Sequence, residues 1–260
     1  MLLVVDAGNT NIVLGLFDGD QMRAKWRVST DSHRMSDEYG VLLMKLLPHR
    51  GLRLDQIEHA IIASVVPSLT TIFLEVLQRY CGVRALVVGA GIKTGLRLMV
   101  DNPGAVGADR VVDSVAAYRI YGGPVIVVDF GTATTFDVVS RTGDFLGGAI
   151  APGILIAGEA LFEKAAKLTR VELVRPKNVI GKNTMTAIQA GVLLGYVGLV
   201  EGIIDRIKRE LGGSAKVIAT GGLAALVAKE TPAIDVVDED LTLTGLRLVH
   251  ELNSIIYAGR

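Results

Sequence analysis

An internal repeat constrains the fold of this chain more than any other feature of its sequence. Residues 2–10 read LLVVDAGNT, and residues 125–133 read VIVVDFGTA. Each copy has four apolar residues, an aspartate, one further residue, and a glycine that precedes an amide or hydroxyl side chain. Self-similarity at this distance indicates two structural units built to the same plan.

Each copy of the repeat is followed by the pattern of a three-stranded antiparallel meander. An apolar stretch, a turn rich in Gly and Asp, and a second strand-like stretch follow one another in both halves. These segments are residues 12–17, 18–20 and 22–28 in the first half and residues 135–139, 141–144 and 145–150 in the second. Helical spacing then takes over, so we expect two similar α/β domains with a cleft between them.

Apolar residues at helical spacing predict seven helices, with short buried strands near residues 61–63, 86–88 and 217–219. The predicted helices cover residues 37–47, 68–80, 111–118, 154–167, 184–211, 223–229 and 242–258. Ser68 is predicted to cap the second of them. The segment YGGP at 121–124 interrupts the pattern, so we expect domains at 1–121 and 122–260 that move as hinged lobes.

Composition narrows the possible partners. Lys plus Arg and Asp plus Glu each number 27, without a run of five like charges, so nothing indicates a nucleic-acid partner. No apolar run approaches about 18 residues, so we expect no membrane partner.

A single cysteine, Cys81, in an apolar neighbourhood fits a core position and a reducing compartment, here the cytoplasm. The apolar helix at 184–202 fits either buried core or a dimer interface.

The first repeat, Asp6 to Asn11, has the composition of a phosphate-binding hairpin. A carboxylate at the end of a buried strand favours a metal ion or its waters as partner. Gly8 permits close backbone approach, and Asn9, Thr10 and Asn11 supply small polar groups for phosphate oxygens. A single such segment fits an ordinary Asx-rich turn better than a phosphate site. The second copy, at 129–135, favours a pair of hairpins that bind a nucleoside triphosphate.

Two further segments carry candidate chemistry. Thr220, Gly221 and Gly222 lie between a predicted strand and helix, where adenine could lie against the backbone, although an ordinary turn fits as well. The loop at 101–110 ends in Asp109 and Arg110, which fit a general base and an anion-binding cation, or a helix cap and a solvated charge. The four histidines lack metal-ligand spacing, and Gly-x-Ser-x-Gly and Cys-x-x-Cys are absent, which disfavours metalloenzymes and triad hydrolases.

The ordered set of these motifs resembles the type III pantothenate kinases, of the acetate and sugar kinase/Hsp70/actin superfamily, nearly end to end. The matching segments are residues 6–11, 102–110, 129–135, 147–153, 181–184 and 220–222. The resemblance implies two ribonuclease-H-like domains of the actin and hexokinase type, each a mixed sheet that begins with a three-stranded meander, with a nucleotide cleft between them. It also implies transfer of phosphate from ATP to the primary hydroxyl of pantothenate, in a cytoplasmic homodimer.

The resemblance also implies roles for individual residues. Those expected to hold ATP are Asp6, Ala7, Gly8, Asn9, Thr10, Asn11, Ile12, Val13 and, from the second domain, Thr132. Those expected at the pantothenate site are Val100, Gly107, Ala108, Asp109, Arg110 and Thr184. Asp109 would be the general base, Asp6 would hold Mg²⁺ directly or through water, and Asp129 would bind a monovalent cation, K⁺ or NH₄⁺. Val100 departs from the family, which often has tyrosine there.

Two other functions share this fold. A non-catalytic regulatory or accessory relative would be expected to lose the base or a phosphate hairpin, whereas Asp6, Asp109 and Asp129 are all present. A superfamily kinase or phosphatase acting on polyphosphate or a sugar would share the architecture, because this fold hosts many activities. The segment from Gly107 to Arg110 favours pantothenate over these substrates.

Overall fold

The computed structural model describes residues 1–165 and 170–257, which form two compact units. The first unit comprises Met1–Arg119 together with the residues from Asp240 onward, and the second comprises Ile120–Glu239. The predicted helix ends at Lys167 and Ala258 lie outside the described residues.

The secondary structure follows the predicted order closely. The strands are β1 Leu2–Ala7, β2 Asn11–Asp18, β3 Gln21–Ser29, β4 His59–Ser64, β5 Leu86–Val87, β6 Arg97–Leu98, β7 Val125–Phe130, β8 Ala133–Val139, β9 Asp144–Pro152, β10 Lys216–Thr220 and β11 Val236–Val237. The helices are α1 Ser36–Leu46, α2 Pro67–Val76, α3 Ala108–Tyr121, α4 Ile154–Lys164, α5 Thr184–Gln189, α6 Gly195–Glu210, α7 Ala224–Ala228 and α8 Leu241–Tyr257. Two π-helical turns, Leu77–Cys81 and Ala190–Leu194, continue α2 and join α5 to α6.

The sheet of the first unit has the strand order β3-β2-β1-β4-β5. Its central strand β1 runs antiparallel to β2 and parallel to β4. Asp6 lies opposite Val13 on one side and Ala63 on the other, one residue before β1 ends. The strand is otherwise fully buried from Leu3 to Val5, which fixes Asp6 at the edge of a rigid core.

The second unit repeats this plan. Its strands follow the order β9-β8-β7-β10-β11, with β7 antiparallel to β8 and parallel to β10. Asp129 lies opposite Thr135 and Thr220, at the position in β7 that Asp6 has in β1. The predicted pair of meander-based α/β units is therefore confirmed.

The last helix, α8, belongs to the first unit by its packing. Leu243, Leu246 and Val249 are buried in one cluster with Val112 and Val115 of α3. A side chain at Gly245 would place its Cβ 2.7 Å from the carbonyl carbon of Val112, so the two helices approach at backbone distance. Residues 240–257 thus lie with the first unit, whereas the division expected from the sequence assigned them to the second domain, 122–260.

The stretch from Thr184 to Glu210 is the one helix of the described residues that is long and apolar enough to cross a membrane by length and composition. Buried core helices pass the same test, and Leu193, Val200 and Ile204 lie in the core of the second unit. Their burial accounts for part of the apolar composition of this stretch.

One local prediction is wrong. Ser68 does not cap α2, because the helix begins one residue earlier at Pro67 and its N-cap residue is Val66. Proline is favoured at the first helical position, since its missing N–H would have no intrahelical partner there.

Cys81 is half-buried against the hydrophobic core of the first unit, and burial raises the pKa of its thiol to about 11.

Candidate active site

The first hairpin joins β1 to β2 through a turn closed by its own backbone. The Gly8 N–H donates to the Asn11 carbonyl at 3.0 Å. A Cβ at Gly8 would lie 3.1 Å from the same oxygen, so a larger residue would crowd the turn. Asp6 is half-buried at the strand end, while Asn9, Thr10 and Asn11 are exposed. The turn therefore presents small polar groups to solvent beside a fixed carboxylate.

Neighbouring segments bond the carbonyl groups of this turn. The Val65 N–H, just after β4, donates to the Ala7 carbonyl at 3.2 Å. Thr30, just after β3, donates through Oγ1 to the Gly8 carbonyl at 2.6 Å and through its N–H to the Thr10 carbonyl at 3.0 Å. Sequence reasoning missed Thr30, because nothing in a single sequence pairs residue 30 with residues 8 and 10.

The second hairpin, between β7 and β8, closes in a related way. The Gly131 N–H donates to the Ala133 carbonyl at 3.1 Å, and Gly131 and Thr132 are exposed. The N-terminal end of α4 lies against this turn, since the Gly153 N–H donates to the Thr132 carbonyl at 3.2 Å. Thr132, the predicted ATP contact, thus lies in an exposed turn that is hydrogen-bonded to the N-cap residue of α4.

Glycine residues surround the carboxylate of Asp129. A Cβ at Gly131 would lie 3.4 Å from Asp129 Oδ2. At Gly221, with φ of +91°, a Cβ would collide with Asp129 Oδ1 and would lie 2.7 Å from the Phe130 nitrogen. The close approach of Gly221 is therefore to β7 of its own unit, whereas the adenine contact of residues 220–222 stays a prediction.

A buried tyrosine supports the second hairpin from the core. Tyr196 of α6 is 5 % exposed, and its hydroxyl shares a hydrogen bond with that of Thr134, which is fully buried in β8. Burial raises the pKa of Tyr196, while hydrogen bonds from Thr134 and the Ile154 backbone act in the opposite direction. One side chain thus links α6, β8 and the first residue of α4.

Asp109 lies in the first turn of α3, where its carboxylate Oδ1 accepts a hydrogen bond from the Arg110 N–H at 2.8 Å. Burial raises the pKa of Asp109, and the Arg110 backbone and charge partly oppose that rise. A Cβ at Gly107 would collide with Asp109 Oδ1, so the loop leaves that carboxylate room only because residue 107 is glycine. A poorly solvated carboxylate of this kind suits a general base.

The first unit brings two of the predicted segments together. Val65 donates its N–H to Ala7 of the first hairpin, and its Cγ1 lies 3.5 Å from where a Cβ of Gly107 would be. The hairpin and the Asp109 loop therefore meet at the end of β4. Val100 is half-buried in the chain that leads into this loop.

Thr184 lies in the second unit, at the first position of α5, and it is exposed. The preceding Asn183 caps the helix by accepting the Thr186 N–H at 2.9 Å. Thr184 lines an open groove of about 850 Å³ with residues of α4, α5 and α6, including Leu161, Ile188 and Tyr196.

Among residues 1–165 and 170–257, no three His, Cys, Asp or Glu side chains cluster as a metal site.

Solved structures share this fold over nearly their full length. One is a Baf family transcriptional activator from Campylobacter jejuni, with a TM-score of 0.61, 20 % identity, and coverage of 97 % of this chain and 98 % of that one. Another is component A of the Acidaminococcus fermentans (R)-2-hydroxyglutaryl-CoA dehydratase, with a TM-score of 0.57, 14 % identity, and coverage of 100 % and 99 %. These matches establish the actin- and hexokinase-type fold alone.

Sequence relatives are much closer. A type III pantothenate kinase from Moorella thermoacetica is 55 % identical over 254 residues, which cover 98 % of this chain and 100 % of that protein. The type III pantothenate kinase of Geobacter sulfurreducens is 54 % identical, with coverage of 97 % and 99 %. The family model described as type III pantothenate kinase matches residues 2–206. The chain therefore belongs to the type III pantothenate kinase family.

Proposed function

We propose that this protein transfers the γ-phosphate of ATP to the primary hydroxyl of pantothenate and so forms 4′-phosphopantothenate, the first step of coenzyme A biosynthesis. The observation that carries the proposal is 55 % identity to a type III pantothenate kinase across the whole of that relative. Every segment that carries candidate chemistry except residues 220–222 lies within the part of the chain that the family model matches.

The two hairpins are the proposed ATP-binding elements. Residues 6–13 would bind phosphates from the first domain, and Thr132 would contact ATP from the second. Exposed backbone and small polar side chains at both turns support this role, because phosphate oxygens accept hydrogen bonds from such groups. Each hairpin follows a central β-strand, so its groups are positioned before ATP arrives.

Asp109 is the proposed general base. It would accept the proton of the pantothenate hydroxyl as that oxygen attacks phosphorus, while Arg110 would pair with an anionic group. The burial that raises the pKa of Asp109 supports this role, since a base works best with a pKa closer to the working pH. Val100, Gly107 and Ala108 would complete the pantothenate site, and Thr184 would contact pantothenate near the dimer interface.

Two cation sites are part of the proposal, and the donor chemistry fits both. Asp6 would hold Mg²⁺, directly or through water, and Asp129 would hold K⁺ or NH₄⁺, because hard cations take oxygen ligands such as carboxylates. Gly131 and Gly221 leave space around the Asp129 carboxylate that side chains would fill. Bound there, the cations would offset the negative charge of the phosphates. In Walker-type sites a lysine does this, and this chain lacks the Walker motif.

The remaining elements of the proposal concern organisation. In the division drawn from the sequence, residues 1–121 would carry the first hairpin and the pantothenate loop and residues 122–260 the second hairpin and the adenosine segment, while α8 packs with the first unit. We propose a cytoplasmic homodimer. Exposed apolar residues of the second unit support this, among them Ile150, Leu155 and Ile180, which is 83 % exposed.

A direct assay tests the activity. Purified protein is incubated with ATP, Mg²⁺ and pantothenate, with K⁺ or Na⁺ as the monovalent cation, and phosphopantothenate is measured for wild type and Asp109→Asn. We expect product that depends on K⁺ and falls by roughly 10² or more in the variant. If wild type binds ATP but forms no product, pantothenate is not the acceptor, and other hydroxyl compounds should be screened.

A further inference from the structure

One residue outside the first hairpin bonds two of the hairpin's backbone carbonyl groups. Thr30 Oγ1 donates to the Gly8 carbonyl at 2.6 Å, and the Thr30 N–H donates to the Thr10 carbonyl at 3.0 Å. The Ala7 carbonyl accepts from the Val65 N–H. These carbonyl oxygens are therefore occupied within the protein.

Occupied carbonyls matter at a phosphate site for an electrostatic reason. A carbonyl oxygen carries partial negative charge and would repel a phosphate oxygen, whereas backbone N–H groups and small polar side chains attract it. Bonding these carbonyl oxygens within the protein restrains the turn on which the exposed residues Asn9, Thr10 and Asn11 lie. The turn is then ready for an anion without reorganisation.

Thr30 is itself anchored to the core. The next residue, Asp31, offers its carbonyl to the Tyr39 hydroxyl at 2.9 Å. Tyr39 is 1 % exposed, and its ring packs against Phe73 with ring centroids 5.0 Å apart. Hydrogen bonds and ring packing therefore connect helices α1 and α2, through Asp31 and Thr30, to the first hairpin.

We infer that Thr30 is a positioning residue for nucleotide binding, which acts by holding the carbonyls of Gly8 and Thr10 away from the ATP phosphates. The inference rests on the proposed role of the first hairpin in ATP binding. Thr30 does not contact the nucleotide in this account, so its hydroxyl is needed for the conformation of the hairpin and not for the chemistry.

Three variants separate this role from a general structural one. Thr30→Val keeps the shape and the N–H bond but removes the hydroxyl donor, and Thr30→Ser restores that donor. Thr71→Val makes the same change at an exposed position of α2 and serves as the matched control. For each protein, calorimetric titration measures the Kd of ATP with Mg²⁺ and of pantothenate, and a thermal melt measures Tm.

We expect Thr30→Val to bind ATP roughly three- to ten-fold more weakly, the range for loss of one hydrogen bond, with the pantothenate Kd unchanged. Thr30→Ser and Thr71→Val should resemble wild type. Unchanged ATP binding in Thr30→Val would overturn the inference, and so would equal weakening of both ligands, which indicates general loss of structure. Weak ATP binding in Thr30→Ser would show that the hydroxyl is not the relevant group.

Amide hydrogen exchange separates this inference from the proposed function. Without any ligand, residues 7–11 should exchange faster in Thr30→Val than in wild type, because the turn loses a restraint. If wild type fails to bind ATP while this exchange still increases, the proposed function falls and the ordering of the turn by Thr30 stands. Equal exchange in the two proteins would overturn the ordering itself.

Discussion

Gly221 lies so close to Asp129 that a Cβ on the glycine would collide with the carboxylate oxygen Oδ1. Gly107 stands in the same relation to Asp109 in the first unit. Both aspartates are proposed to act at the reaction, one as a cation ligand and one as a base. Each carboxylate thus occupies space that a side chain on the neighbouring glycine would fill, which makes these glycines targets for substitution.

The first prediction concerns Gly221→Ala. The new methyl group should displace the Asp129 carboxylate and weaken activation by K⁺ by about 10-fold or more, the scale found when a group that orients a metal ligand is changed. Gly212→Ala is the matched control, because Gly212 has φ of +71° in the same unit and nothing within 4 Å of its Cβ position. Activity is measured against K⁺ concentration. Equal K⁺ dependence in the two variants would contradict the prediction.

The sequence predicted the repeated plan because each repeat is local. Asp6 and Asp129 follow runs of apolar residues, and the structure places both at the same position of equivalent central strands. The placement of α8 could not be predicted. Its apolar spacing predicts a helix, but only its packing, with Leu246 in one buried cluster with Val4 and Ile61 of the first sheet, shows which sheet the helix covers.

The site was predictable to the same extent. The hairpins and the Asp109 loop are contiguous in sequence and carry their composition with them. The contacts of Thr30 with Gly8, of Tyr196 with Thr134 and of Gly221 with Asp129 join residues far apart in the chain. Such contacts depend on strand order and register, which one sequence does not encode in any local pattern.

The second prediction concerns the stability of Asp109→Asn. Burial raises the pKa of Asp109 in the folded protein, so the folded state binds this proton more tightly than the unfolded state. The free energy of unfolding should therefore fall as pH rises from about 3.9, the ordinary pKa of Asp, through the raised value. Asp109→Asn should be more stable than wild type at pH 8, although it loses activity, and the difference should shrink towards pH 4.

Urea denaturation at several pH values measures this difference. Asp101→Asn, at an exposed position of the same loop, is the control and should follow wild type at every pH. A variant of Asp109 that is less stable than wild type at pH 8 would show that the ionised carboxylate contributes favourably to the fold.

The third prediction concerns the hydrogen bond between Thr134 and Tyr196. Either Thr134→Val or Tyr196→Phe should lower the free energy of unfolding by about 1 kcal/mol, because each leaves a buried hydroxyl or acceptor without this partner. The double variant should cost less than the sum of the two, by roughly 1 kcal/mol, since residues that share one bond are coupled. Urea denaturation gives all four values. Tyr118→Phe, at a half-buried position of α3, is the control, and strict additivity would argue against the bond.

The last prediction concerns the ring pair His59 and His250, whose centroids lie 5.3 Å apart in the first unit. Burial, and secondarily the charge of His59, lowers the pKa of His250, so the unfolded chain binds this proton more tightly than the folded protein. Stability should therefore decline as pH falls below about 6.5, the ordinary pKa of His. Between pH 7.5 and 5, Tm should fall less in His250→Gln than in wild type. The exposed control His49→Gln should match wild type, and equal slopes in all three proteins would contradict the prediction.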